Sequence, residues 1–269
     1  MSFYLPDAQP RSQSGVKRAI ATFTALTTAI ASSLTLSGVL GTSGIAPAQA
    51  QANIPVSVNP DRAVTFSCSE SEAAIARKNP VRVAFGQSRI YIGYQQVTSD
   101  NQNPIVVRFD GGRRTWCRTD YEVSADDGRG YGLAWNGGSV LYAVFSATGT
   151  QGTPSQDYRR FTSRGWLPSY GSGGGPKVAV IARLNPVNGT PYAGTFVTAR
   201  LSNGRTNSLV VTNLSWTGTS LVVNANSWFS PRRRDRQPMT CMGSSPFRYR
   251  IVFTPNLQLV NSATAERCS

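Results

Sequence analysis

The chain contains no histidine. That absence removes the Ser-His-Asp and Cys-His nucleophilic arrangements, histidine-ligated metals and the commonest general base near neutral pH. Lysine is almost missing beyond residue 50, where only Lys78 and Lys177 occur. Acids are few: 13 Asp and Glu stand against 27 Lys and Arg, giving a net charge of +14. No cysteine precedes Cys68, so an N-terminal leader cannot be followed by a lipid-modified cysteine. After residue 50 no apolar run reaches the ~20 residues that a membrane helix needs, and the mature chain is expected to be soluble. Helical periodicity is scarce as well. Only 70–78 reads as a helix, short and closed by Asn79-Pro80.

What is present begins with a leader. Lys17-Arg18, an apolar but Ser/Thr-diluted run over 19–40, and Ala48-Gln49-Ala50 follow one another. They form a positive n-region, an h-region and small residues at −3 and −1 of a cut. Residues 1–50 are therefore expected to be a cleaved signal peptide, and 51–269 a single β-rich repeat domain outside the cytoplasm, in a bacterial periplasm or secreted. The mature chain would begin at Gln51, or at Asn53 if Ala52 is used. Loss of Asp7, Arg11, Lys17 and Arg18 with the leader takes the charge from +14 to +12. Nearly all mature cations are arginine, whose planar five-donor fork suits carboxylates, sulfates and phosphates. The mature segment also holds Cys68, Cys117, Cys241 and Cys268. An even number of cysteines without close C-x₂₋₄-C pairs reads as two disulfides rather than zinc ligands. Three connectivities are open. Cys68–Cys268 would join the chain ends; Cys68–Cys117 with Cys241–Cys268 is equally admissible.

Elsewhere short alternating runs of Val, Ile, Thr, Tyr and Phe are separated by Gly, Asn and Pro, the pattern of strands and turns. Three segments share a hairpin pattern: Ala84-Phe85-Gly86-Gln87-Ser88, Ala134-Trp135-Asn136-Gly137-Gly138 and Ser215-Trp216-Thr217-Gly218-Thr219, each followed by an alternating strand. A second unit recurs as Ile105-Val106-Val107-Arg108-Phe109-Asp110-Gly111-Gly112, Val178-Ala179-Val180-Ile181-Ala182-Arg183-Leu184-Asn185-Pro186 and Arg250-Ile251-Val252-Phe253-Thr254-Pro255-Asn256. Trp116 and Phe196 mark a further strand in the first two copies. The result is about four strands per repeat of roughly 45–50 residues, the size of a propeller blade. The repeats run over about 105–149 and 178–229, with halves at 81–97 and 248–260.

On these motifs the chain resembles the repeats of secreted bacterial β-propeller proteins over about half of its mature length. The resemblance implies an all-β, propeller-like array of about three four-stranded repeats serving as a binding or structural platform. Three blades are fewer than the four or more that usually close a ring. Pairing of the terminal strands, oligomerisation, or a β-sandwich-like array would each resolve this.

Pro231-Arg232-Arg233-Arg234-Asp235-Arg236 reads as an exposed loop. Arg232, Arg233, Arg234 and Arg236 are the candidates for binding an anionic polysaccharide or envelope surface. Nucleic acid is not expected outside the cytoplasm. Arg113-Arg114 near Trp116, and Arg159-Arg160 between Tyr158 and Phe161, are weaker cation–aromatic combinations whose aromatics read as core. Asp126 and Asp127, with Asp120 and Glu122 upstream, lack the spacing of a calcium loop, and Asp110 joins them as the fifth acid of this region. They are the only candidates for a glycosidase pair, which needs two acids about 5–10 Å apart. Gly171-Ser172-Gly173-Gly174-Gly175-Pro176 has no Gly-Lys-Ser/Thr and reads as a connector. The expected function is a non-enzymatic binding or structural protein without cofactor or metal; the alternative is a carbohydrate-active enzyme. An enzyme should gather two or more carboxylates with an aromatic platform, and a scaffold should scatter them.

Overall fold

A computed structural model of the protein describes residues 54–148, 152–170 and 178–269. The expected leader and its cut site, and the connector at 171–176, lie outside the described residues. The described chain is all-β: four antiparallel sheets of three to five strands with two short α-helices, and no sheet closes on itself. No helix among the described residues is long and apolar enough to cross a membrane.

After β1 (Val56–Val58) and α1 (Glu72–Arg77), an N-terminal sheet is built as a meander of β2 (Val81–Phe85), β3 (Ser88–Thr98), β4 (Asn101–Asp110) and β5 (Arg113–Arg118). The central sheet follows, β6 (Gly128–Trp135), β7 (Leu141–Ala147), β8 (Val178–Leu184) and β9 (Pro191–Val197), with β1 added on its β6 edge and α2 (Arg159–Thr162) in the β7–β8 connection. The pairs β10 (Ala199–Arg200) and β11 (Thr206–Asn207) lead into β12 (Leu209–Trp216) and β13 (Leu221–Ser227). A two-residue strand, β14 (Ser230–Pro231), returns to β10, and β15 (Phe247–Phe253) and β16 (Val260–Ala265) complete a C-terminal sheet of β12, β13, β15 and β16.

The four-strand meanders of the N-terminal, central and C-terminal sheets each open with one of the three hairpins read from the sequence. Phe85, Trp135 and Trp216 end the first strands, and Gly86, Gly137 and Gly218 in the turns have positive φ (+58°, +77° and +94°), which a side chain would strain. The sheets do not coincide with the sequence repeats. Each sheet joins the hairpin of one repeat to the strand unit that begins the next, so the half-repeats at the two ends each belong to a complete sheet.

Side-chain alternation and register show how the sheets stack. Val81, Val83, Ile90, Ile92, Val106 and Trp116 share the inward face of the N-terminal sheet. Its outer face, Tyr91, Ile105, Val107 and Phe109, is covered by Phe66 and by Ile75 of α1. Ser71 caps α1, its Oγ accepting from Ala74 N at 3.3 Å. The central sheet is buried on both faces. Trp135 on one face meets Phe85 edge-on, with ring centroids 6.2 Å apart, while Tyr142 on the other meets Trp216 at 5.8 Å. Phe145 and Phe196, on the Trp135 face, are roofed by Tyr121, Tyr158 and Tyr170. Two-sided burial explains why 141–145 and 178–182 read as continuous apolar runs.

A repeated polar contact locks the stack. Arg108 Nη1 and Trp116 Nε1 of the N-terminal sheet donate to Pro186 O of the central sheet at 2.8 and 2.9 Å. One layer on, Arg183 Nη1 and Tyr142 OH donate to Pro255 O of the C-terminal sheet at 3.4 and 2.8 Å. Arg108, Arg183 and Val252 occupy equivalent places, as do Gly111, Pro186 and Pro255. The arginine is thus present in the two sheets that have a following layer, and the proline in the two that have a preceding one.

The closest approach between layers needs a residue without a side chain. A Cβ on Gly130 would lie 2.1 Å from Ile92 Cγ1 and 3.1 Å from Gly93 O. Gly130→Val is expected to lower stability by about 2–3 kcal/mol through overpacking, measured as a lower denaturant midpoint. An unchanged midpoint would contradict this layer contact.

Candidate functional site

The basic loop is a turn with one arm inside the protein. Arg232 bridges to Pro238, and Arg236 N donates to Arg233 O at 2.9 Å. Arg232 is only 6 % exposed; its Nε donates to Thr198 Oγ1 and its Nη1 to Arg236 O, both at 2.9 Å. Tyr249 OH donates to Arg232 O at 2.7 Å. Burial first, and then the neighbouring Arg200, lower the pKa of Arg232 to about 10. Arg232 therefore pins the turn rather than presenting charge. Arg233 is paired with Asp235 at 3.0 Å. Arg234 and Arg236 are exposed and have no carboxylate within 4 Å among the described residues.

Charge is divided unevenly along the described chain. Residues 178–269 carry ten arginines against two acids, Asp235 and Glu266, whereas 54–170 carry thirteen cations against ten acids. Arg183 lies on β8 of the central sheet; the other nine arginines lie on the C-terminal sheet, on β10, or in the neighbouring loops. On the sheet's outer face Asn224, Asn226, Arg248, Arg250 and Thr264 point outward, and Val211, Val223, Ala225, Tyr249 and Ile251 alternate with them into the core. Arg248 faces Glu266 loosely at 3.8 Å; Arg250 has no such partner among the described residues. The signal was present in the sequence as a charge difference between its two parts, which a single net charge conceals.

The acids separate into two places. Asp110 accepts from Arg108 Nε at 3.0 Å, from Thr115 Oγ1 at 2.5 Å and from Ser88 Oγ, and its pKa is lowered because these donors outweigh burial. Asp120 pairs with Arg118 at 2.5 Å. Glu122 and Asp126 instead gather with Asp157, which the sequence reading did not select. Glu122 is 1 % exposed. Its Oε1 accepts from Ser124 N at 2.7 Å and from Ser124 Oγ, and its Oε2 has no partner. Burial, with Asp126 and Asp157 adding to it against the Ser124 hydrogen bonds, raises its pKa to about 7. Burial, and then the charges of Asp157 and Asp127, raise Asp126 as well, against a backbone hydrogen bond from Gly152 and the charge of Arg159. Asp157 is engaged by Arg159 at 2.7 Å. Tyr158 and Tyr170 border the cluster, and burial raises both phenols.

Arg114 donates to Cys68 O and Arg160 to Asp120 O, while Trp116, Tyr158 and Phe161 pack inward, so these combinations serve the fold. No group of three or more His, Cys, Asp or Glu among the described residues could hold a metal ion. The cysteines form two disulfides, Cys68–Cys117 and Cys241–Cys268. Neither joins the chain ends. Comparison with protein-family profiles, curated proteins and solved structures finds no match.

Proposed function

We propose that this is an exported, non-enzymatic binding or structural protein that attaches to an anionic envelope or polysaccharide component through its C-terminal sheet and adjoining loops. The observation that carries this reading is the excess of nine arginines over two acids in residues 199–269. Two disulfides support a place in an oxidising compartment outside the cytoplasm.

The array is read as a propeller-like arc of three four-stranded layers in which an open stack replaces a ring. Both ends are finished: α1 covers one, and the other is polar. The alternation of Arg108 and Arg183 with Pro186 and Pro255 supports the same limit of three, so no second copy is needed to cover an apolar end. In this reading the likeness to secreted propeller repeats lies in the strand-and-turn units.

Exposed charge attraction is screened over ~8 Å at physiological salt. Co-sedimentation with isolated envelope material should therefore be strong at low salt and fall steadily as salt rises. Binding that is absent, or indifferent to salt, would remove this function.

One observation favours the enzymatic alternative: Glu122, with a carboxyl near pKa 7, shares a site with Asp126 and Asp157 beside two tyrosines. A general acid must reach its substrate, and Glu122 is sealed from solvent. The binding reading is therefore preferred.

A further inference from the structure

The outer face of the C-terminal sheet is built against the habits of strands. Asparagine is depleted in strands, yet Asn224 and Asn226 stand side by side on the outward face of β13, a strand paired on both edges. Cross-strand from them are Arg250 and Arg248. Beyond Arg250 lies Thr264. Such a departure from local preference on an exposed face points to use rather than folding. Val222 and Val252 make one end of this face apolar and Val210 flanks Asn226, but the stretch from Asn224 to Asn226 and from Arg248 to Arg250 does not repeat the apolar pattern of the two inner interfaces.

The face continues into a groove. The depression lined by Thr212, Asn224, Asn226, Arg248, Arg250 and Glu266 shares Thr212 and Asn226 with a second. That second depression runs between the C-terminal and central sheets, past Arg129 and Asp61, to Val210 and Trp228. It shares Val210 and Trp228 with a third that reaches Phe229. Trp228 is 40 % exposed, whereas Trp116, Trp135, Trp166 and Trp216 are all 9 % exposed or less. A single extended groove thus offers amides, guanidinium groups and an exposed indole in sequence.

We propose that this groove binds a chain of uronic acid sugars, a carboxylate-bearing polysaccharide. The inference rests on the anion-binding reading above and names its ligand. Each side chain type has a matching part of such a ligand. Asparagine amides both donate and accept, as ring hydroxyls require. Arginine forks engage planar carboxylates with paired hydrogen bonds. An exposed indole stacks on the apolar face of a sugar ring. Arg248 and Arg250 lie two residues apart on one face, a separation of about 7 Å along the strand, so they meet two successive charges rather than one. Asp61 and Glu266 at the margins are the only acids on these walls, and Glu266 lies 3.8 Å from Arg248.

The test is calorimetric titration of the disulfide-bonded protein with a galacturonate tetrasaccharide, a polyglutamate of the same charge, a polyphosphate and a neutral cello-oligosaccharide. The galacturonate should bind at least tenfold more tightly than polyglutamate or polyphosphate, and should shield tryptophan emission from acrylamide, since Trp228 is the accessible indole. Trp228→Ala and Asn224→Ala/Asn226→Ala should each weaken galacturonate binding at least fivefold and leave polyglutamate binding unchanged. Arg248→Ser/Arg250→Ser should weaken both. The shielding measurement uses wild-type protein, so it stands even if a variant folds poorly. Equal binding of galacturonate and polyglutamate without shielding would overturn the sugar assignment and leave the anion-binding function intact. Preference for polyphosphate would overturn it in favour of a phosphate ligand. Failure of every polyanion to bind would defeat the function itself.

Discussion

Replacing Cys68 and Cys117 together with serine should lower stability by about 4 kcal/mol. The bridge closes a separation of 49 residues, and chain entropy in the unfolded state gives about that value for a loop of this length. The second bridge closes 27 residues and should contribute about 3.5 kcal/mol on the same basis. The first has the larger structural consequence. It ties the segment carrying Phe66 and α1 to β5, over Tyr91, Ile105, Val107 and Phe109. Its loss should lower the melting temperature by roughly 10 °C, at about 2–4 °C per kcal/mol for a chain of this size, and should open residues 64–80 to proteases first. Peptide mapping without reductant should find 68 joined to 117 and 241 joined to 268. A peptide joining 68 to 268, or a change in melting temperature below about 2 °C, would contradict this assignment.

Stability should also fall as pH rises from about 4.5 to 7, and Glu122 should be the cause. Its carboxyl is raised from 4.5 to about 7 in the folded protein. Below 4.5 it is protonated in both states and the group has no effect. Between those values the unfolded chain releases the proton and the folded one keeps it, so unfolding is favoured increasingly. Above 7 the loss is complete, at about 3 kcal/mol. Asp126 is raised too and acts in the same direction, while Asp157 is engaged by Arg159. Glu122→Gln cannot ionise and keeps an oxygen for Ser124 N, so it should be more stable than wild type at pH 8 and nearly equal to it at pH 4. Denaturant titrations across this range test the sign. A wild-type curve that rises with pH, or a variant with the same slope as wild type, would contradict the buried acid. If Glu122 instead served catalysis, the same variant would lose glycoside hydrolysis that the wild type shows.

Strand positions were the most legible part of the fold. The hairpins ending in Phe85, Trp135 and Trp216 follow directly from alternation and turn glycines. Stacking order was written there as well, in the presence of arginine at 108 and 183 and of proline at 186 and 255, but its meaning needs the contact between Arg108 and Pro186 O. The assignment of strands to sheets was not legible, because a repeat cut at its loops looks the same whichever neighbour completes it. For the site, four arginines within 232–236 look equally exposed in sequence. Only the folded chain brings Thr198 and the Arg236 carbonyl to Arg232 and buries it. Likewise Asp157 joins Glu122 across a distance in sequence that no local pattern records.

The central claim is that attachment depends on where the positive charge lies, not on how much there is. Two variants of equal net charge separate these. One replaces Arg234, Arg236, Arg248 and Arg250 with serine, all exposed on the C-terminal sheet or its loop. The other replaces Arg77, Arg82, Arg113 and Arg164, exposed elsewhere. Exposed substitutions of this kind change stability by about 0.5 kcal/mol or less each, so both should fold. In envelope co-sedimentation at one salt concentration, the first should lose at least tenfold in affinity and the second should stay within about twofold of wild type. Equal losses by the two variants would contradict the account.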